Sequence, residues 1–244
     1  MDLLPPLSQL LTAFVIIIAA YTIRGIVGFG SGLIAIPFLL LFLPIKIAVI
    51  LIVLLDYLAA LTQGIHGRKY IEFKLIWPLI PFNIIGIILA VYILQKIDFS
   101  ILISILSVLL FCYGLYYLFG LKPAQHASKL WAIPTGILGT LIGTLFGTGG
   151  PFYVIYLQLQ GLDKTVFRAT ISSIFIIDGS MRVFSYFISG LVPTETIALF
   201  VVAVPLMLIS LYIGQHIHTT ISPRIFQRLI GSLLLISSIT LFLK

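Results

Sequence analysis

The sequence predicts an all-α integral membrane protein with about ten helical segments arranged as two inverted-topology repeats. Three observations support this fold class. Hydrophobic residues make up 61% of the 244 residues and charged residues 9%, which is more apolar surface than one water-soluble core could bury. Apolar runs of near-membrane length follow one another with short polar or Pro/Gly interruptions. Two glycine-rich motifs recur at matching places in the two halves.

The apolar runs define the helical segments in chain order. The first run begins near Leu7 without the basic region and cleavage site of a secretory signal, so we expect it to be retained as a membrane helix. The runs predict helices over residues 6–26, 30–43, 46–66, 73–95, 99–120, 130–146, 150–160, 164–188, 194–216 and 223–243. The second helix of each half is too short to cross about 30 Å of hydrocarbon at about 1.5 Å per residue. We therefore expect eight clear spans and two short helices that are broken or re-entrant.

One polar linker divides the chain. We assign residues 1–120 to an N-terminal membrane repeat, residues 121–129 to a cytoplasmic linker and residues 130–244 to a C-terminal membrane repeat. Placing Gly30 over Gly147 aligns the two glycine-rich motifs. Because each repeat has an odd number of segments, the second copy must enter the membrane upside down.

Loop charges predict the orientation in the membrane. If the N-terminus is outside, one side carries most of the basic residues: Arg68, Lys69, Lys74, Lys122, Lys129, Lys164, Arg168, Arg224 and Arg228. Only Lys46, Lys96 and Lys244 fall on the other side. By the positive-inside rule the basic side is cytoplasmic, so we expect a multi-pass cell-membrane protein with an extracytoplasmic N-terminus. The net charge of +7 then requires no nucleic-acid partner.

The glycine-rich motifs predict two helix breaks inside the bilayer. A break exposes backbone polar groups that protein or water must satisfy, so it has to face the bundle interior. Each break starts a helix whose free N–H groups and positive dipole end favour an anion. The candidate substrate-binding residues in the breaks are Gly28, Gly30, Ser31, Gly32, Gly147, Thr148, Gly149, Gly150 and Pro151. The alternative interpretation is that these glycines only let helices pack closely.

Two longer stretches around the breaks carry a family resemblance. They read RGIVGFGSGLIAIPFL and GTLFGTGGPFYVIYLQLQGLDKTVFRAT. Together they resemble the TauE/SafE sulfite exporter family, a group of bacterial and archaeal permeases for sulfite, organosulfonates or related small anions, and the resemblance covers nearly the whole chain. It implies a lipid-embedded secondary transporter that exports a small anion, with sulfite or an organosulfonate as the first candidate. The alternatives are an anion channel and a transporter of small carboxylates.

Ionisable and polar residues inside apolar runs are further candidates. Arg24, about one turn before the first break, either binds an anion oxygen or extends to the cytoplasmic interface. Asp178 and Arg182 share a helix face, either as functional groups or as a self-neutralising pair that fixes packing. Asp56 has no Lys or Arg one turn away, so it is protonated, paired across helices or a proton-coupling carboxylate. Gln63 is a candidate pathway residue.

Other function classes lack their motifs. The sequence contains no GxxxxGK[ST], so we expect no ATP-driven transport within this chain, and neither HExxH nor GxSxG supports an intramembrane enzyme. Cys112 is the single cysteine, and His216 and His218 are two apart, on different sides of a helix. We therefore expect no metal site and no cofactor. The sequence leaves open whether the chain forms homo-oligomers.

Overall fold

A computed structural model describes residues 7–64, 68–97, 99–119, 128–217 and 223–242, and these residues form helices and turns without any strand. The helices are α1 (Leu7–Val27), α2 (Ser31–Leu39), α3 (Ile45–Gly64), α4 (Phe73–Ile76), α5 (Ile80–Lys96), α6 (Phe99–Phe119), α7 (Ala132–Phe146), α8 (Gly150–Leu159), α9 (Lys164–Ile188), α10 (Thr194–His216) and α11 (Pro223–Phe242). The prediction of an all-α fold is confirmed. The short second helix of each half is present as α2 and α8.

Six helical stretches among the described residues are long and apolar enough to cross a membrane. They are Gln9–Val27, Ile45–Gly64, Phe73–Lys96, Ser100–Phe119, Thr165–Ile188 and Thr194–His216. Two shorter apolar helices, Ala132–Phe146 and Gly231–Phe242, occupy the places of the other two predicted spans. The span that contains α4 and α5 is interrupted by a 3-10 turn at Trp77–Leu79, because Pro78 and Pro81 lack the N–H groups of a regular helix.

Helix packing joins the two halves of the chain. α1 packs against α10, α5 against α7, α3 against α9 and α6 against α11. Glycine allows close approach in these pairs. A Cβ on Gly25 would overlap the α10 backbone at Leu211 and Gly214, and one on Gly114 would press on Leu235 and the Gly231 carbonyl. Close contact of this kind holds helices together in lipid, where apolar burial between helices contributes little.

α3 is the central helix of the bundle. In its most apolar stretch 61% of the residues are buried, against 33–39% in the other five spans. The other helices present apolar side chains outward, and the more than half-exposed ones include Val15, Ile88, Val108, Val201 and Ile236. Such a surface matches lipid rather than water. The residues of α3 are therefore the ones best placed to form an interior site, together with those of α9 that pack against it.

The two ends of the bundle can be told apart by their charges. One end of the bundle carries Lys69 and Arg168, and we call it the basic side. It contains the C-terminal ends of α1, α3 and α10 and the N-terminal end of α9. The division into two repeats and a linker stays a prediction. The linker is described only from Ser128 onward, and Lys122 and Lys244 lie outside the described residues.

We predict that the N-terminus is extracytoplasmic and that the linker is cytoplasmic. Ser8→Cys and Ser128→Cys can be compared in a Cys112→Ala background, since the exposed Cys112 would otherwise react. A membrane-impermeant thiol reagent added to intact cells should label the first variant and spare the second, because basic loops stay in the cytoplasm. Labelling of Ser128→Cys without labelling of Ser8→Cys would show that the protein has the opposite orientation in the membrane.

Candidate functional site

The first helix break lies between α1 and α2. Gly28 and Gly30 both have φ of +95°, a left-handed conformation that side-chain-bearing residues rarely adopt. An added Cβ would meet no atom within 4 Å at either position, so the backbone conformation, not the space, requires glycine there. α2 then begins at Ser31, which is fully buried.

The second break lies between α7 and α8. α7 ends at Phe146 and is followed by Gly147, which has φ of +64°, and α8 starts at Gly150. Pro151 lies in the first turn of α8, where its missing N–H removes no helical hydrogen bond. Each break thus leaves a helix N-terminus inside the bundle, and the first N–H groups of such a helix have no acceptor within it.

The glycines of the breaks also allow helices to touch. A Cβ on Gly32 would overlap the carbonyl oxygen of Gly147, so the two breaks are in direct contact. A Cβ on Gly149 would overlap the carbonyl oxygen of Gly139 on α7. Gly32 and Gly149 are therefore required for close helix packing, whether or not a ligand binds at the breaks.

An ion pair joins α1 to α3 beside the first break. Arg24 Nη1 lies 2.8 Å from Asp56 Oδ1, and Arg24 Nη2 donates to the Asp56 carbonyl oxygen at 3.1 Å. The hydroxyls of Tyr21 and Ser31 donate to the same carboxylate oxygen, each at 2.6 Å. Arg24 is only 3% exposed, so it is held in the interior and does not extend to the interface. Of the alternatives for Asp56, the structure has it paired across helices.

A second ion pair lies on α9. Asp178 and Arg182 pair one turn apart, and Arg182 Nη1 also donates to the Gly143 carbonyl oxygen on α7 at 3.1 Å. Asp178 is fully buried and accepts a hydrogen bond from Thr140 at 2.7 Å. The Thr140 hydroxyl is in turn 2.7 Å from the Tyr153 hydroxyl on α8. This network ties α9 to α7 and α8, as the packing interpretation of the pair requires.

A cavity, which we call the central cavity, lies between the two breaks and the two arginines. Its lining consists of Arg24, Gly30, Gly32, Leu33, Val53, Asp56, Tyr57, Gly147, Thr148, Gly149, Gly150, Pro151, Phe175, Gly179 and Arg182. The space open to the centres of water molecules is about 40 Å³. One water needs roughly 10–15 Å³ on this scale. The cavity therefore has room for a few waters or one small ion.

Most of the predicted site residues line this cavity, and four do not. Ser31 and Asp178 lie behind its wall, bonded to the side chains that face it. Gly28 and Gln63 line a separate cavity of about 470 Å³ at the basic side, together with Arg168. We call this second space the basic-side cavity.

Thr148 and Ser31 occupy matching places in the two breaks but have different surroundings. Thr148 lines the central cavity, and its hydroxyl is almost completely buried and has no hydrogen-bond partner among the described residues. Burying a hydroxyl without a partner costs roughly 1–3 kcal/mol. The Ser31 hydroxyl is already engaged by Arg24 and Asp56. Thr148 therefore has a free donor for a ligand, whereas Ser31 does not.

The comparison with known proteins identifies the family. The family model described as Sulfite exporter TauE/SafE matches residues 13–241. The chain belongs to this family. A relative from Comamonas testosteroni, named "Probable inner membrane transporter protein TsaS", is 22% identical over 194 residues, which are 78% of this chain and 81% of the relative. No solved structure matches the chain significantly.

Family, relative and helices agree on the class of protein. The sulfite exporter TauE/SafE family and the name of the relative indicate a transporter rather than an enzyme. The six apolar stretches make this TauE/SafE protein a multi-pass membrane protein. Among the described residues, no three His, Cys, Asp or Glu side chains lie together as a metal site.

Sequence reasoning missed several residues around the cavity of this TauE/SafE protein. Tyr21 lies three residues before Arg24, so both point to one face of α1, a signal that the sequence contains. The Phe175 ring centre lies 5.8 Å from the Arg24 guanidinium carbon, which is a cation–π distance. Nothing in the sequence relates Phe175 to Arg24, because Phe175 lies on α9 and Arg24 on α1.

We predict different effects of alanine at two adjacent positions of the TauE/SafE motif. A methyl group at Gly149 would overlap the Gly139 carbonyl, and overpacking of this kind costs about 1–3 kcal/mol of unfolding free energy. At Gly150 the nearest atom is the Phe175 Cζ at 3.7 Å, an ordinary contact, so Gly150→Ala should keep wild-type stability. Thermal unfolding of both variants in detergent measures the difference. Equal stability would show that the contact between α7 and α8 does not require glycine.

Proposed function

We propose that the protein is a secondary transporter that exports a small anion through the central cavity. The first candidate substrate is sulfite or an organosulfonate. The observation that carries this proposal is the buried, unpartnered hydroxyl of Thr148, a residue of the second break that lines the central cavity together with Arg24 and Arg182. The family description supports the substrate class and the direction.

Two further features of the central cavity favour an anion over a cation or a neutral solute. The helix N-termini of α2 and α8 each carry about half a positive charge together with free N–H groups. The Arg24 and Arg182 guanidinium groups match the geometry of oxyanions, and the Nε atom of each is buried without a partner. Donor capacity therefore remains on both side chains, and the small volume favours a small anion.

Helix packing supports two inverted repeats. If residues 1–120 and 130–244 are equivalent, α1 corresponds to α7 and α5 to α10. The contact between α1 and α10 then has its counterpart in the contact between α7 and α5. α3 packs on its own counterpart α9, and α6 on its counterpart α11. A pseudo-two-fold axis in the membrane plane produces this reciprocal pattern, which transporters use for alternating access.

The two ends of the bundle differ in openness. The basic-side cavity has a volume of about 470 Å³ and polar lining residues such as Gln63 and Arg168. On the opposite side, the start of α3 and the end of α7 enclose a cavity of only about 20 Å³, which Leu145 lines. The Tyr186 hydroxyl donates a hydrogen bond to the Thr144 carbonyl oxygen beside it. This asymmetry supports a conformation open to the basic side. We place that side in the cytoplasm, where an exporter loads its substrate.

Flux of labelled sulfoacetate into proteoliposomes tests the proposal. Saturable counterflow, in which unlabelled sulfoacetate inside accelerates entry of the labelled anion, would support a carrier. An ohmic current would favour an anion channel, and faster counterflow of small carboxylates would assign the chain to carboxylate transport. Absence of counterflow with sulfite, sulfoacetate and small carboxylates alike would contradict the proposal.

Thr148→Val should weaken anion binding. Valine has nearly the shape of threonine but lacks the hydroxyl, and a hydrogen bond to a charged ligand is worth about 1.5–3 kcal/mol. Thr196→Val is the matched control, because the Thr196 hydroxyl is also buried and unpartnered but does not line the central cavity. The dissociation constant of sulfoacetate, measured by thermal shift, should rise only in Thr148→Val. Wild-type affinity in that variant would exclude ligation by the hydroxyl.

A further inference from the structure

The Asp56 carboxylate competes with any anion for the donors of the central cavity. Among the residues that line the cavity, it is the one carboxylate. Its Oδ1 atom receives hydrogen bonds from Tyr21 and Ser31 and the ion pair of Arg24. An incoming anion must therefore share the Arg24 guanidinium with Asp56 or displace the carboxylate from it.

The other carboxylate near the cavity has a different environment. Asp178 is fully buried, and both of its oxygens are engaged, one by Thr140 and the other by Arg182. The Asp56 side chain is 23% exposed, and the hydrogen bonds from Tyr21 and Ser31 both go to its Oδ1 atom. A proton arriving through water in the cavity can reach Asp56, whereas Asp178 is closed off behind Arg182.

Charge balance shows what an anion requires. With all groups ionised, Arg24 and Arg182 are cancelled by Asp56 and Asp178, so the empty site has no net charge. Adding an anion would leave one uncompensated negative charge in the membrane interior, which is costly. A proton on Asp56 removes that excess and frees the charge of Arg24 for the anion.

The elements around Asp56 bring no other charge that changes this balance. α2 and α7 contain no ionisable residue, and α10 contains none between Glu195 and Tyr212. The ionisable side chains that face the cavity or the Asp56 carboxylate from α1, α3 and α9 are Tyr21, Arg24, Tyr57 and Arg182, and Arg182 is paired with Asp178 behind the cavity wall. Asp56 is thus the group whose protonation can compensate the anion.

We propose that Asp56 is a proton-binding site and that a proton binds there with each anion, so that the protein is a proton–anion cotransporter. This inference rests on the proposed anion transport. The protonated carboxyl releases the Arg24 guanidinium to the anion, while the pair of Asp178 and Arg182 stays closed. With a monoanion the loaded cavity has no net charge. Export then occurs when the excess of anion inside outweighs the inward proton gradient.

The pH dependence of methanesulfonate affinity between about pH 6 and pH 8 tests the proposal. Methanesulfonate carries one negative charge over this range, because its sulfonate group is fully ionised there and it has no carboxyl group. If binding takes up a proton, the dissociation constant of the wild type should rise by about tenfold per pH unit over this range. Asp56→Asn imitates the protonated carboxyl, so its affinity should not depend on pH, and a pH gradient should no longer drive accumulation. Glu195→Gln, which removes an exposed carboxylate outside the cavity, should behave as wild type.

Proton uptake by the wild-type protein gives a second measurement that needs no variant. Saturating methanesulfonate added to purified protein in weakly buffered detergent solution should raise the pH by an amount that corresponds to about one proton per bound anion. Binding without proton uptake would overturn the proposal, as would equal pH dependence in wild type and Asp56→Asn. Both results leave counterflow intact, whereas the failure of anion transport itself would abolish counterflow in the wild type.

Discussion

Backbone N–H groups that a helix break leaves without an acceptor inside a bilayer are the constraint on which this structure depends. Lipid cannot satisfy them, so both breaks must be enclosed by protein. α3 and α9 provide that enclosure, and the two breaks contact each other where Gly32 meets the Gly147 carbonyl. The same groups that are costly to bury are the basis of the proposed anion site, since α2 and α8 both begin beside one small cavity.

Two ion pairs serve different purposes around this cavity. The pair of Asp178 and Arg182 is buried, connected to α7 through Thr140 and Gly143, and holds the bundle together. The pair of Arg24 and Asp56 lines the cavity, and in the proposed mechanism protonation of its carboxylate releases Arg24 to the anion. A site with exchangeable charge can bind an anion without a permanent excess of positive charge in the membrane.

The helices could be predicted from the sequence because run length and glycine or proline interruptions are local signals. α9 and α10 lie at the predicted bounds, and both breaks lie at the predicted glycines. The contact between Arg24 and Asp56 could not be predicted, since it depends on how α1 packs on α3. The different hydrogen bonding of the Thr148 and Ser31 hydroxyls could not be predicted either. The two residues occupy equivalent positions in the proposed repeats, but their partners depend on how the chain folds.

A density map of the purified protein with bound sulfoacetate tests the location of the anion most directly. We expect the sulfonate group in the central cavity, with an oxygen at hydrogen-bond distance, about 2.7–3.0 Å, from the Thr148 hydroxyl. The Arg24 guanidinium should contact the same group. A sulfonate ordered only in the basic-side cavity beside Gln63 and Arg168, with the central cavity empty, would contradict an anion site at the helix breaks.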